Sequence, residues 1–161
     1  MSDTSPVFTT TDALLLYSIV YCRRHRYRPT LGQIFLLTDA FDRSYPTALE
    51  LEDGLSRLIV GGYVERLDEE FAPTEVGIRA VKLVEKQRKP KLRFFEQIRS
   101  LADSLSISCY GRASEQPVPK QLTVTDAQVT TAVVEAHALF DNLKWGWSAS
   151  RMLGARRRRS R

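Results

Sequence analysis

Residues 58–77, LIVGGYVERLDEEFAPTEVG, constrain the fold more than any other stretch of the chain. A helical apolar run stops at Gly61-Gly62, where glycine accepts the left-handed conformation that closes many helices. Tyr63-Val64-Glu65-Arg66 and Glu70-Phe71-Ala72 read as two short strands joined by Leu67-Asp68-Glu69. Pro73-Thr74 then opens another helix, with Thr74 as its cap and Val76, Ala80, Val81 and Val84 inward. The order is helix, tight hairpin, helix.

Upstream, the spacing predicts three helices. Thr11 caps the first, which runs to about Arg24 with Leu15, Leu16, Ile19 and Val20 on one stripe. Arg23, Arg24 and Arg26 at its end suit the negative pole of the helix dipole. Pro29 breaks the chain, and Thr30 with Gln33 forms a capping box for a helix carrying Ile34, Phe35, Leu37 and Phe41. Thr47 pairs with Glu50 in the same way, and Leu51, Leu55, Leu58 and Ile59 give the third helix one buried face. Its open face is then expected to carry Ala48, Glu52, Asp53, Ser56 and Arg57.

Downstream, Pro90 interrupts the chain, and Leu92, Phe95, Ile98, Leu101, Ala102 and Leu105 mark a fifth helix. Gly111, Pro117 and Pro119 make residues 106–121 a loop. Thr125 and Gln128 cap a last helix with Val129, Val133, Ala136, Phe140 and Leu143 on one face. Three parts follow: a domain at 9–86, a helical extension at 87–145, and a basic, flexible tail at 146–161.

The stretch from Leu55 to Gly77, LSRLIVGGYVER…FAPTEVG, resembles the recognition-helix end, wing and following helix of PadR-like and MarR-like transcriptional regulators. The resemblance covers about residues 9–86 and rests mostly on core and turn residues. It implies a mostly helical fold: a winged helix-turn-helix domain with a short β-hairpin wing, followed by two or more C-terminal helices. It further implies a regulator that binds double-stranded DNA, and a homodimer paired through the C-terminal helices.

The charges complicate that implication. Residues 1–86 hold 10 Lys/Arg against 13 Asp/Glu, whereas residues 87–161 hold 14 against 6. The net charge of +5 therefore resides in the second half, and five arginines stand in the last six residues. A carboxylate about 7 Å from a phosphate costs roughly 0.6 kcal/mol in high dielectric. Acids at Glu52, Asp53, Glu65, Asp68, Glu69 and Glu70 thus oppose DNA on the third helix and wing. The residues left to contact nucleic acid are Arg43, Thr47, Ser56, Arg57 and Arg66, together with Arg156, Arg157, Arg158 and Arg159 in the tail. A second reading is a protein-interaction module. Its acidic helix-three and wing face docks a basic partner, and the arginine tail binds nucleic acid without sequence preference.

No catalytic or cofactor chemistry is legible. His25 and His137 are the only histidines, and Cys22 and Cys109 match no metal or redox spacing. There is no glycine-rich phosphate loop and no nucleophile elbow, so neither an enzyme nor a cofactor is expected. The longest apolar run, ALLLYSIVYC, is too short to cross a bilayer, and a reduced, cytoplasmic protein without membrane contact is the expectation.

Overall fold

The computed structural model describes residues 7–43, 45–87, 94–109 and 122–157, with the helix backbone alone at 108–109 and 142–157. Among these residues lie six helices and one hairpin. In chain order they are α1 (Thr10–His25), α2 (Leu31–Asp42), α3 (Ala48–Val60), β1 (Val64–Leu67), β2 (Glu70–Pro73), α4 (Glu75–Lys86), α5 (Phe94–Cys109) and α6 (Asp126–Arg157). The mostly helical class and the antiparallel hairpin agree with the sequence, and the arrangement is compatible with a winged-helix-like fold.

Local chemistry accounts for most boundaries. The cap of α1 is Thr9 rather than Thr11. Thr9 Oγ1 accepts from the Asp12 N–H at 3.2 Å, while Asp12 Oδ2 accepts from the Thr9 N–H at 2.8 Å. An aspartate in place of the usual Glu or Gln completes this capping box, which is why the spacing alone points past it. Thr47 and Glu50 make the reciprocal box expected of them, as do Thr125 and Gln128. At the end of α3, Gly62 takes the left-handed conformation at φ +74°.

The hairpin pairs Val64 with Pro73 and Leu67 with Glu70, one residue beyond the strands read from sequence. Its second strand also touches the segment between α1 and α2. Thr30 bridges to Glu70, and the Phe71 N–H donates to Pro29 O at 3.0 Å. Thr74 locks the hairpin to the glycine turn. Its hydroxyl donates to Gly62 O at 2.6 Å and accepts from the Gly77 N–H at 3.2 Å, and its own N–H donates to Tyr63 O at 3.0 Å. Gly77 sits so close to the Tyr63 carbonyl that a β-carbon there would collide with backbone.

The core is built around α1, where Leu15, Leu16, Ile19 and Val20 are fully buried. Each such side chain removed from water contributes about 1.5–3 kcal/mol. The same buried cluster takes in Ile98, Leu101 and Leu105 from α5 and Leu122, Val124, Ala132 and Ala136 from the α6 region. α5 packs on α1 and α4, and α6 packs along α2. Residues 32–38 of α2 are consequently buried on every side, since one face meets α1 and the other meets α6.

Candidate interaction surface on the third helix

Helix α3 turns Leu51, Leu55 and Leu58 into the core, as its spacing predicts. The opposite face is only partly open, with Ala48, Asp53 and Arg57 half-exposed. Ser56 is 3% exposed and Glu52 8% exposed, which corrects the expectation that both face solvent. The cause is distant in sequence. Leu122 and Val124, in the extended lead-in to α6, are themselves buried, and the Val124 N–H donates to Glu52 Oε2 at 3.1 Å. A hydrogen bond to a charged group contributes about 1.5–3 kcal/mol. Glu52 is therefore a latch for the C-terminal segment.

Arg57 also turns inward. Its Nε donates to Asp12 Oδ2 and its Nη2 to Asp12 Oδ1, both at 2.9 Å, and Asp12 is fully buried. The Asp12 carboxylate, hydrogen-bonded in this fork, raises the guanidinium above its ordinary range, against the opposing effect of burial. Gly54 makes the approach possible, because a β-carbon there would stand 2.6 Å from Asp12 Oδ1. Asp12 thus serves both the cap of α1 and the junction with α3.

The remaining residues expected at a nucleic-acid contact are dispersed. Thr47 is exposed, but its hydroxyl is engaged in the α3 cap. Arg43 is exposed at the end of α2, in the left-handed conformation at φ +51°. Arg66 is exposed on β1, with Nε donating to Asp68 O at 3.1 Å. Arg156 and Arg157 belong to the backbone of α6, and Arg158 and Arg159 lie outside the described residues. Ser56 is buried, and Arg57 is half-buried with its guanidinium turned to Asp12, so the two do not share an open surface.

The acids of the hairpin receive a partial explanation. Arg28 pairs with Glu70, its Nε at 2.6 Å. Arg24 makes a two-pronged bond to Glu85 on α4 at 2.6 and 2.8 Å, and Arg23 lies 3.9 Å from Glu75. The basic end of α1 is therefore paired with carboxylates of the hairpin and α4. These are largely exposed pairs, worth about 0–1 kcal/mol each. Glu65, Asp68 and Glu69 remain exposed.

Between the hairpin, the start of α2 and residues 122–135 lies a cavity of about 500 Å³. Arg28 and Arg66 share its walls with Asp68, Glu69 and Glu135, and the Thr30 hydroxyl donates to Glu135 Oε1 at 3.0 Å. The C-terminal segment thus touches α2 and α3 and faces the hairpin across this cavity. The helices that the family resemblance assigns to subunit pairing are packed in cis along this length.

Among the described residues no group of three or more His, Cys, Asp or Glu side chains could hold a metal ion. No described helix is long and apolar enough to cross a membrane. Sequence reading missed Asp12 and Val124, and it placed Glu52 on an open face rather than in a buried contact. Only Asp12 left a local sign, as the fourth residue of Thr9-Thr10-Thr11-Asp12. Comparison with models of known protein families, with curated proteins and with solved structures finds no match, so the geometry alone carries the functional reading.

Proposed function

We propose that this chain is a winged-helix protein-interaction module whose third-helix surface holds a protein segment instead of reading DNA bases. The observation behind this reading is the Val124–Glu52 latch, which seats residues 122–124 across the face a recognition helix would present. A helix laid in a groove is a recurrent mode of protein recognition. Here α6 lies along α2 in cis, and Val124 in its lead-in reaches Glu52 on α3. The exposed acids Glu65, Asp68 and Glu69 suit a basic protein partner better than phosphate. Arginines beyond that surface supply sequence-independent attraction to nucleic acid.

Fluorescence anisotropy on random duplex DNA tests the reading. Compared with the wild type is a variant in which Arg156, Arg157, Arg158, Arg159 and Arg161 are replaced by glutamine. Most affinity should disappear in that variant, and the salt slope should fall by up to about 4.5, at roughly 0.9 per phosphate contact. Selection from a randomised duplex library should enrich no motif.

The other reading is a dimeric DNA-binding transcriptional regulator that engages bases through α3, Arg43 and Arg66. The order of elements favours it, and an isolated bridge from Thr30 to Glu70 beside the two-stranded hairpin is compatible with a winged-helix arrangement. It requires the segment around Val124 to leave α3 before DNA arrives. Under that reading Glu52→Ala would strengthen binding to a selected motif, and chromatography would show a dimer.

A further inference from the structure

A second cavity, of about 260 Å³, opens on the other side of the α2–α3 turn, between the start of α1 and α5. This volume falls below the roughly 300–1,000 Å³ of drug-sized sites, so its occupant is small. Its polar groups are divided by sign. On the α1 and α5 side stand the first-turn residues Thr10 and Thr11 and the exposed Arg99, whose guanidinium can reach the cavity. Thr10 and Thr11 carry N–H groups that have no acceptor within the helix. On the α2–α3 side stand Asp42 and Glu50. Glu50 is held below the usual carboxylate range by the Thr47 N–H and hydroxyl, so it is anionic at neutral pH. Tyr45 and Phe95 add aromatic faces, and Phe95 is 56% exposed with Arg99 one helical turn further along α5.

We propose that this cavity binds a small zwitterion with a flat apolar side chain, an aromatic α-amino acid being the chemistry it fits. The carboxylate lies toward Arg99 and the α1 N-terminus, where helix dipole and guanidinium act together. The ammonium lies toward Asp42 and Glu50, with cation–π attraction from the aromatic wall. Neither charge alone satisfies both walls. This site is separate from the surface that α6 covers, so it stands whether or not the interaction-module reading does.

The test is isothermal titration and thermal shift on the full chain with tryptophan, tryptamine and indole-3-propionate. Tryptophan should bind and raise the melting temperature, and each singly charged analogue should bind roughly tenfold more weakly or worse. Arg99→Ala and Phe95→Ala alter exposed positions, so the fold should survive both. Arg99→Ala should remove the preference for tryptophan over tryptamine while keeping amine binding, and Phe95→Ala should weaken all three. No binding by any of the three would overturn the proposal. Equal binding of tryptophan and an analogue, or wild-type affinity in both variants, would overturn it equally.

Discussion

Arg57 of α3 and Asp12 of α1 form a two-pronged ion pair at 2.9 Å, with the carboxylate fully buried and also bonded to the Thr9 N–H. A residue placed by sequence on a nucleic-acid surface instead joins two helices of the core. Arg57→Ala should lower stability by about 2–4 kcal/mol. That is slightly less than the 3–5 kcal/mol of a fully buried pair, because the outer edge of Arg57 is wet. Urea unfolding measures it, and a double-mutant cycle with Asp12→Ala should show clear coupling. Additive single effects would mean the pair contributes nothing of its own.

Gly77 stands against the Tyr63 carbonyl, where a β-carbon has no room. On helix propensity alone Gly77→Ala would gain up to about 1 kcal/mol. The collision with backbone should reverse that sign, giving a net loss of about 1–3 kcal/mol. Thermal unfolding decides between them, and an increase in melting temperature would refute the close approach.

The Glu52 latch should be visible in hydrogen exchange. Glu52→Ala removes the acceptor of the Val124 N–H, so exchange at Val124 should accelerate by about tenfold or more, as expected for a charge-assisted bond. Amides in the middle of α1 should change far less. Uniform acceleration through the core would mean that Glu52 serves global stability rather than the seating of this segment.

Two groups give pH dependence of opposite sign. The Glu50 carboxyl is depressed by the Thr47 N–H and hydroxyl, so the unfolded chain binds more protons around its ordinary value of about 4.3. Its stabilising share is complete above that value and is lost as pH falls through the lower folded value. Glu50→Gln should therefore flatten the acid limb of the stability profile measured between about pH 5 and 3.

Burial pushes the Cys22 thiol up to about 12. In the unfolded chain it ionises near pH 8.5, so stability should decline as pH rises from about 8.5 toward the folded value. In a Cys109→Ser background, Ellman's reagent at pH 8 should find no reactive thiol until denaturant is added. Prompt native labelling would contradict the burial of Cys22.

Much of the fold was legible because its signals act over three or four residues. The Thr47–Glu50 and Thr125–Gln128 caps, the Gly62 turn and the Thr74 helix start are local chemistry, and each declares its element directly. The apolar stripe of α3 was equally plain, since helical spacing alone assigns Leu51, Leu55 and Leu58 to one face. The cap of α1 slipped by two residues because Thr9, Thr10 and Thr11 are chemically equivalent until Asp12 selects one of them.

The candidate site was far less legible. Helical spacing identifies the face of α3 opposite the leucines but carries no information on what covers it. Arg57 and Asp12 are separated by 45 residues, and Glu52 and Val124 by 72. Short polar side chains such as Ser56 look alike in sequence whether they face water or a buried segment.

By itself, then, the sequence determined the elements: where helices start, where the hairpin turns, and which stripe of each helix is apolar, because these follow from backbone sterics and nearest hydrogen bonds. Only the tertiary structure decided which surfaces remain available. Laying α6 along α2 brought Val124 against Glu52 and covered part of the third-helix face, and the fork of Arg57 found its carboxylate on α1. Burial is a property of what the rest of the chain brings near, and no local rule encodes it.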